Sequence, residues 1–229
     1  MIILSYKYRL KPSTEQVAAI EKQLRFCRMT YNSLLEHSFN ERKAGRGTPT
    51  HKALTYLLPE MKAMKPELNN VFSQVLQNVA KRVRSGFEGY WARKRAGLKA
   101  HLPRFRGEDR YDSLTYPQFG FRVEDGCLRL SKIGDVRVVQ HRPVEGKVKT
   151  LTVTRSRAGK WYAVFASEVE AKPIQNRLPA VGVDLGLSSL VALSNTALCS
   201  SLYHAFCLSL PSRGNKSGSP QNLCCLPLP

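Results

Sequence analysis

Carboxylates are scarce in this chain. Asp and Glu number 17 against 36 Lys and Arg in 229 residues, a formal charge of +19 and a pI near 10.0. Such an excess opposes compaction by self-repulsion and points to a polyanionic partner. Beyond Asp184 there is no Asp or Glu at all. Long apolar runs are also lacking. Met1-Ile2-Ile3-Leu4 passes straight into Tyr6-Lys7-Tyr8-Arg9 without the apolar core of a secretory leader. Ala197 to Pro211, the longest apolar stretch, is broken by Ser and His and falls short of the ~18 residues a span requires. No segment pairs a basic face with exposed Trp, Phe and Leu, so a membrane partner is not expected; the expected location is cytoplasmic. Cysteines lack metal spacing: Cys27 and Cys127 are isolated and read as packed thiols, while Cys199, Cys207, Cys224 and Cys225 form no C-x-x-C pair. A zinc site is therefore not expected. His51, His101 and His141 have no Asp or second His at ligand spacing and read as surface groups.

What the chain does contain is two kinds of periodicity. Leu4, Tyr6, Tyr8 and Leu10 alternate with Ser5, Lys7 and Arg9, predicting a half-buried strand with a cationic wet face. After Pro12, Ser13 and Gln16 form a capping box. Val17, Ile20, Leu24, Cys27, Tyr31 and Leu34 then mark a helix to about Phe39. Thr50 caps a short predicted helix closed near Pro59, and a long helix follows Pro66 with a stripe from Leu68 through Val75, Val79, Val83 and Phe87 to Tyr90. From Gly120 the period becomes two, giving short strands at Phe121–Val123, Cys127–Leu130, Val136–Val139, Val148–Thr154 and Trp161–Phe165. The pattern predicts an α+β fold: a small antiparallel β-barrel that the N-terminal strand joins, with the helices as an insertion. Pro173 to Pro179 reads as a linker, Val181 to Val183 as a new strand and Leu190 to Leu193 as its hairpin partner.

Two motifs carry chemistry. Between Lys81 and Arg106 the cations Lys81, Arg82, Arg84, Arg93, Lys94, Arg95, Lys99, Arg104 and Arg106 face Glu88 alone, with Tyr90, Trp91 and Phe105 interleaved. A salt-bridged helix face would alternate Glu with Lys; this pattern suits phosphate contacts combined with stacking. Lys7, Arg9 and Lys11 extend it onto the first strand. The second motif is Asp184, at the end of an apolar strand and before Gly186. A carboxylate there can hold Mg²⁺, as at the opening of a metal-dependent nuclease core. A turn aspartate is the plainer alternative. Val183-Asp184-Leu185-Gly186 with Ser188 also resembles the first phosphate loop of actin-like ATPases, a lower-ranked reading because that loop normally opens its fold. A non-catalytic RNA-binding structural protein is the other alternative.

In combination these residues resemble the TnpB (OrfB) proteins, insertion-sequence-encoded RNA-guided DNA nucleases related to type V CRISPR effectors. The likeness rests on Tyr6 to Pro12 with Gln16, Leu24, Cys27-Arg28 and Tyr31-Asn32; on Leu76 to Trp91, Pro103 to Arg106 and Ser113 to Pro117; and on Leu130 to Gly134, Gly159 to Tyr162 and Gly182 to Gly186. The resemblance implies a wedge-like barrel from residues 1–12 and 110–172 and a helical recognition insertion over 13–109. It further implies the start of a RuvC (RNase H-like) domain over 173–195, with Asp184 as catalytic and metal-binding residue. Guide RNA and target DNA are the implied partners, with no small-molecule substrate, and Mg²⁺ is the implied cofactor. The family's later RuvC carboxylates and zinc ribbon are not found here, and residues 196–229 turn to Leu, Ser, Cys and Pro with only Arg213 and Lys216 charged. The expectation is a truncated or frameshifted chain with a disordered tail, Mg²⁺ not held productively, and binding without cleavage.

Overall fold

The structure, a computed structural model, describes residues 1–124, 126–170, 181–184, 191–193 and 198–199. The chain divides into two compact units, Met1–Lys172 and Pro173–Pro229.

In the first unit, β1 (Ile2–Lys11) leads through Pro12 into α1 (Thr14–Lys43). The capping box is present: the Gln16 amide donates to Ser13 Oγ (3.3 Å) and the Ser13 amide to Gln16 Oε1 (3.0 Å). The Gln16 side chain also donates to the Asp135 carbonyl at 2.7 Å, so one residue caps the helix and ties it to the sheet. The predicted stripe is buried from Ile20 to Leu34, and the helix runs one turn beyond the expected end. α2 (His51–Tyr56) is capped by Thr50, whose Oγ1 accepts from the Ala53 amide at 3.2 Å. Pro59 does not close a helix as expected. It sits in the first turn of α3 (Leu58–Met64), where a missing N–H costs nothing because that donor would be unpaired anyway. A 3-10 turn (Pro66–Asn70) then buries Leu68, and the long helix α4 (Ser73–Arg95) starts later than Pro66 suggested.

Seven strands make one antiparallel sheet in the order β2-β6-β7-β1-β5-β4-β3. They are β1, β2 (Ser113–Tyr116), β3 (Phe121–Glu124), β4 (Cys127–Leu130), β5 (Gly134–Val139), β6 (Lys147–Arg155) and β7 (Trp161–Val169). The N-terminal strand joins this sheet, as its alternation implied, and lies between β7 and β5. β2 was absent from the strands read by period; its four residues alternate, but Pro117 ends them at once. The edge strands β2 and β3 are consecutive in sequence. Laid flat, the edges would be ~29 Å apart at ~4.8 Å per strand, yet the link from Tyr116 to Phe121 reaches at most ~18 Å. The sheet must therefore roll up, and it is nearly closed and barrel-like. The Tyr116 and Phe121 rings, one from each edge, meet at 6.5 Å.

Tyr6, Tyr8, Leu10, Leu128, Val136, Leu151 and Phe165 line the inner face and belong to one apolar core with Leu24, Leu35, Leu76, Val83 and Phe87 of the helices. Each fully buried side chain of this kind contributes about 1.5–3 kcal/mol. Helices and sheet of Met1–Lys172 thus share a core within one unit. Leu4, expected on the buried face, is exposed because it precedes the part of β1 that the core covers. Cys27 is buried, whereas Cys127, expected to be packed, is exposed at the start of β4.

In the second unit β8 (Val183–Asp184) pairs antiparallel with β9 (Val191–Leu193), Val183 opposite Leu193 and Asp184 opposite Ala192. The hairpin partner expected at Leu190 to Leu193 is therefore found; Val181 precedes the strand instead of starting it. Leu198 and Cys199 fall in the stretch expected to be disordered, yet form β10 and pair with Ala192 and Val191. Two apolar residues suffice to extend an open strand edge by one short pairing. The expected linker at 173–179, the Gly186 to Ser189 turn and the rest of the 196–229 tail lie outside the described residues.

Candidate nucleic-acid interface

Backbone geometry sorts the predicted cations into four groups, the last of them Arg104 and Arg106 on the segment after α4. Lys7, Arg9 and Lys11 project from the wet face of β1, since Tyr6, Tyr8 and Leu10 take the inner one. Lys7 Nζ lies 4.3 Å, and the Arg9 guanidinium 5.4 Å, from the ring centre of Tyr162 on the neighbouring β7. Lys11 stands opposite Arg137 of β5, and both are exposed. Like charges directly opposite each other in a sheet repel, an arrangement that an anion laid across the strands would relieve. Tyr162, Arg137 and Arg142, which lies 4.8 Å from the Tyr6 ring, escaped the sequence reading. Strand register shows Tyr162 and Arg137 as neighbours of Arg9 and Lys11, and the ring contact with Tyr6 places Arg142.

The second group sits at the end of α4. Tyr90 and Trp91 meet edge to face at 4.9 Å. The Arg42 guanidinium, from the last turn of α1, lies 5.7 and 5.4 Å from their centres, and Lys94 Nζ 5.5 Å from Trp91. Arg93, Lys94 and Arg95 are exposed there, as is Lys81 nearer the middle of the helix. Arg42 was not singled out from sequence; its separation from Tyr90 along the chain hides the contact.

Arg82 and Arg84 form the third group, and both are engaged within the fold. Arg82 donates to Asn78 Oδ1 (3.1 Å), to the carbonyl (3.1 Å) and Oγ (3.3 Å) of Ser113, and to Thr115 Oγ1 (2.8 Å). It clamps α4 to β2. Arg84 pairs with Glu88 at 2.9 Å and reaches the carbonyls of Thr48 and Pro49 at 3.4 and 3.3 Å. The basic run is thus not uniformly phosphate-facing, because two of its members supply donors that the surrounding backbone needs.

Residues 101–107 leave α4 and run back along it without regular structure. Gly86 permits this: a Cβ there would stand 3.0 Å from Pro103 Cγ. Asn32 holds the strap at both backbone groups of Arg106, accepting from its amide (2.8 Å) and donating to its carbonyl (3.0 Å). Phe105 packs edge-on against Phe39 at 5.8 Å while remaining 53% exposed. Arg104 and Arg106 are exposed, and the Arg106 guanidinium lies 5.7 Å from the Tyr31 ring. Burial pushes the Tyr111 phenol nearby well above its ordinary value, opposed by the charge of Arg82.

Asp184 is exposed on β8. Among the described residues, no group of three or more His, Cys, Asp or Glu could hold a metal ion. The described residues therefore do not fit a two-ion site. Among them, too, no helix is long and apolar enough to cross a membrane.

A barrel-like antiparallel sheet bearing a helical layer, with half-exposed aromatics on both and cations that have no ion pair among the described residues, defines a class of basic, mixed helix-and-strand proteins. Residues 1–47 match the helix-turn-helix domain family HTH_OrfB_IS605; here they form one strand and one long helix. The chain is 30% identical over 196 residues to "Putative RNA-guided DNA endonuclease InsQ" of Escherichia coli (strain K12), covering 83% of this chain and 47% of that protein. It is 28% identical over 196 residues to "Putative RNA-guided DNA endonuclease" of Streptomyces pristinaespiralis, covering 83% and 48%. Among solved structures, a Cas12f1-sgRNA-target DNA complex matches at a TM-score of 0.41 and 17% identity, over 91% of this chain and 59% of that one. A CRISPR-Cas12f ternary complex matches at 0.47 and 13%, over 84% and 50%. The chain is a TnpB-type (OrfB) protein. It spans about half the length of the curated relatives it matches.

Proposed function

We propose that residues 1–172 are the nucleic-acid-binding part of an RNA-guided DNA endonuclease of insertion-sequence type, with guide RNA and target DNA as partners. The observation that carries this reading is the row of uncompensated cations on the wet face of the sheet, where Lys11 faces Arg137 beside Lys7, Arg9 and Tyr162. The names of the curated relatives support the choice of partners. On this reading the sheet is the wedge-like barrel, residues 13–109 are the recognition insertion, and β8 with β9 begins a RuvC-like domain. Base pairing would supply target sequence, and the protein would read backbone shape and a short adjacent motif.

Asp184 is then the first of the carboxylates that hold Mg²⁺ in such a domain. Residues 185–229 offer no further carboxylate, so a polypeptide of these 229 residues binds without cutting. Binding of the chain to a structured RNA is measured by fluorescence anisotropy at rising salt. Affinity is expected to fall with a log–log slope of about −0.7 to −0.9 per phosphate neutralised. A flat salt dependence or no binding removes the reading. Guide-dependent DNA cleavage in Mg²⁺ that Asp184→Ala abolishes would overturn its second half, and absence of cleavage supports it.

A further inference from the structure

A cavity of about 410 Å³ opens between α1, α4 and the strap, and its lining includes Arg82, Arg104, Arg106, Arg110 and Asp112. That volume lies in the range of small-ligand sites and suits one nucleotide rather than a duplex. Its walls are built rather than incidental. Arg82 locks α4 to Ser113 and Thr115, Pro103 rests on Gly86, and Asn32 fixes the backbone of Arg106 from the α1 side.

The charges inside are not balanced against each other. Arg82 is spent on the fold, but no ion pair is described for Arg104, Arg106 or Arg110 among the described residues. Two guanidinium groups on the strap and that of Arg110 in the 3-10 turn after it (Glu108–Arg110), with the Ser85 hydroxyl on the facing helix, make an anion site of phosphate chemistry. Asp112 shares the cavity and has no ion-pair partner among the described residues. A carboxylate only accepts hydrogen bonds and repels phosphate. Asp112 is exposed and so open to a ligand, and a ligand that engages both charges brings a hydrogen-bond donor close to its anion. A ribose 2′-hydroxyl does this and a deoxyribose does not.

We propose that this cavity holds a single unstacked ribonucleotide of a bound RNA, its phosphate on Arg104, Arg106 and Arg110 and its 2′-hydroxyl on Asp112. The assignment rests on the nucleic-acid reading above and specifies which nucleic acid the site selects. Arg110 and Asp112 lie beyond the basic run legible in the sequence, and the fold sets them with Arg104 against Arg82 and Ser85 of α4 around one cavity.

The test compares binding of the full chain to a labelled single-stranded RNA and to the DNA of the same sequence. The unmodified protein is expected to favour RNA. Asp112→Ala should lower RNA affinity about five- to tenfold and leave DNA affinity unchanged or raised, since it deletes a negative charge. Asp112→Asn keeps an acceptor oxygen and should retain most of the preference. Arg104→Ala with Arg110→Ala should weaken RNA binding by about tenfold per arginine, while Lys7→Ala with Arg9→Ala should weaken RNA and DNA in equal proportion. Equal effects of Asp112→Ala on the two polymers, or silent Arg104 and Arg110 variants in a protein that still binds with steep salt dependence, would overturn the cavity assignment alone. If the unmodified protein bound neither polymer, the broader nucleic-acid reading would fall with it.

Discussion

Arg82 and Arg104 belong to the same basic run yet have different work, because different acceptors lie within their reach. Arg82 projects from a helix toward the edge strand β2 and meets oxygen atoms of Ser113 and Thr115 there. Arg104 lies on an exposed strap with no carboxylate partner described. Removing Arg82 leaves half-buried oxygens without their charged donor, a loss of about 1.5–3 kcal/mol. Arg82→Ala should therefore lower the chemical-denaturation midpoint clearly, and any loss of nucleic-acid affinity should follow the loss of folded protein. Full stability with selectively weakened binding would contradict the clamp role. Residue type and charge imbalance made the run visible in the sequence. The partition within it was not, because each arginine's partners lie more than thirty positions away in several cases.

Elements were legible where their signals are local. α1 carries its own start signal in Ser13 and Gln16 and its own stripe, so its sequence and its burial agree. Pro59 was misread because proline both ends helices and begins them, and only the following turn decides which. β2 escaped because four residues give too few alternations, and its pairing with β6 is what makes it a strand. The two glycines of α4, Gly86 and Gly89, have different surroundings. A Cβ at Gly89 meets nothing within 4 Å, whereas one at Gly86 meets Pro103 at 3.0 and 3.3 Å. Gly89→Ala should therefore raise stability by about 0.5–1 kcal/mol through helix propensity. Gly86→Ala should gain less or lose, as the strap must shift by a few tenths of an ångström. Thermal melts of the two variants compare them directly, and an equal gain in both would show that the strap does not need that glycine.

At the scale of the folded unit, burial of titratable groups sets a pH limit. Burial pushes the Cys27 thiol up from 9.0 to about 12 and raises the phenols of Tyr8, Tyr111 and Tyr116 above 10.0. The folded protein therefore keeps protons that the unfolded chain releases as pH passes the ordinary values. Stability from these groups is full below pH 9 and declines as pH rises from 9.0 toward about 12. Denaturant titrations across that window should show the decline, and Cys27→Ser should not be used to relieve it, because a hydroxyl in that apolar site brings its own cost. Cys27→Ala should shift the onset upward toward the tyrosine range; an unchanged profile would exclude the thiol as its cause.

The sequence alone determined the sign of the charge, the strand and helix periods, the capped start of α1, the recruitment of the first strand to the sheet and the family. These are properties of neighbouring residues, of a repeat or of a total, and they need no knowledge of what packs on what. The tertiary structure alone decided which cations are free. It turned Arg82 and Arg84 inward, set Lys11 against Arg137, brought Arg42 to Tyr90 and Trp91, and gathered Arg104, Arg106, Arg110 and Asp112 around one cavity. The physical reason is reach. A hydrogen bond or a charge pair acts over a few ångströms in space, and strand pairing and the packing of helices on each other and on the sheet convert distant positions in the chain into neighbours.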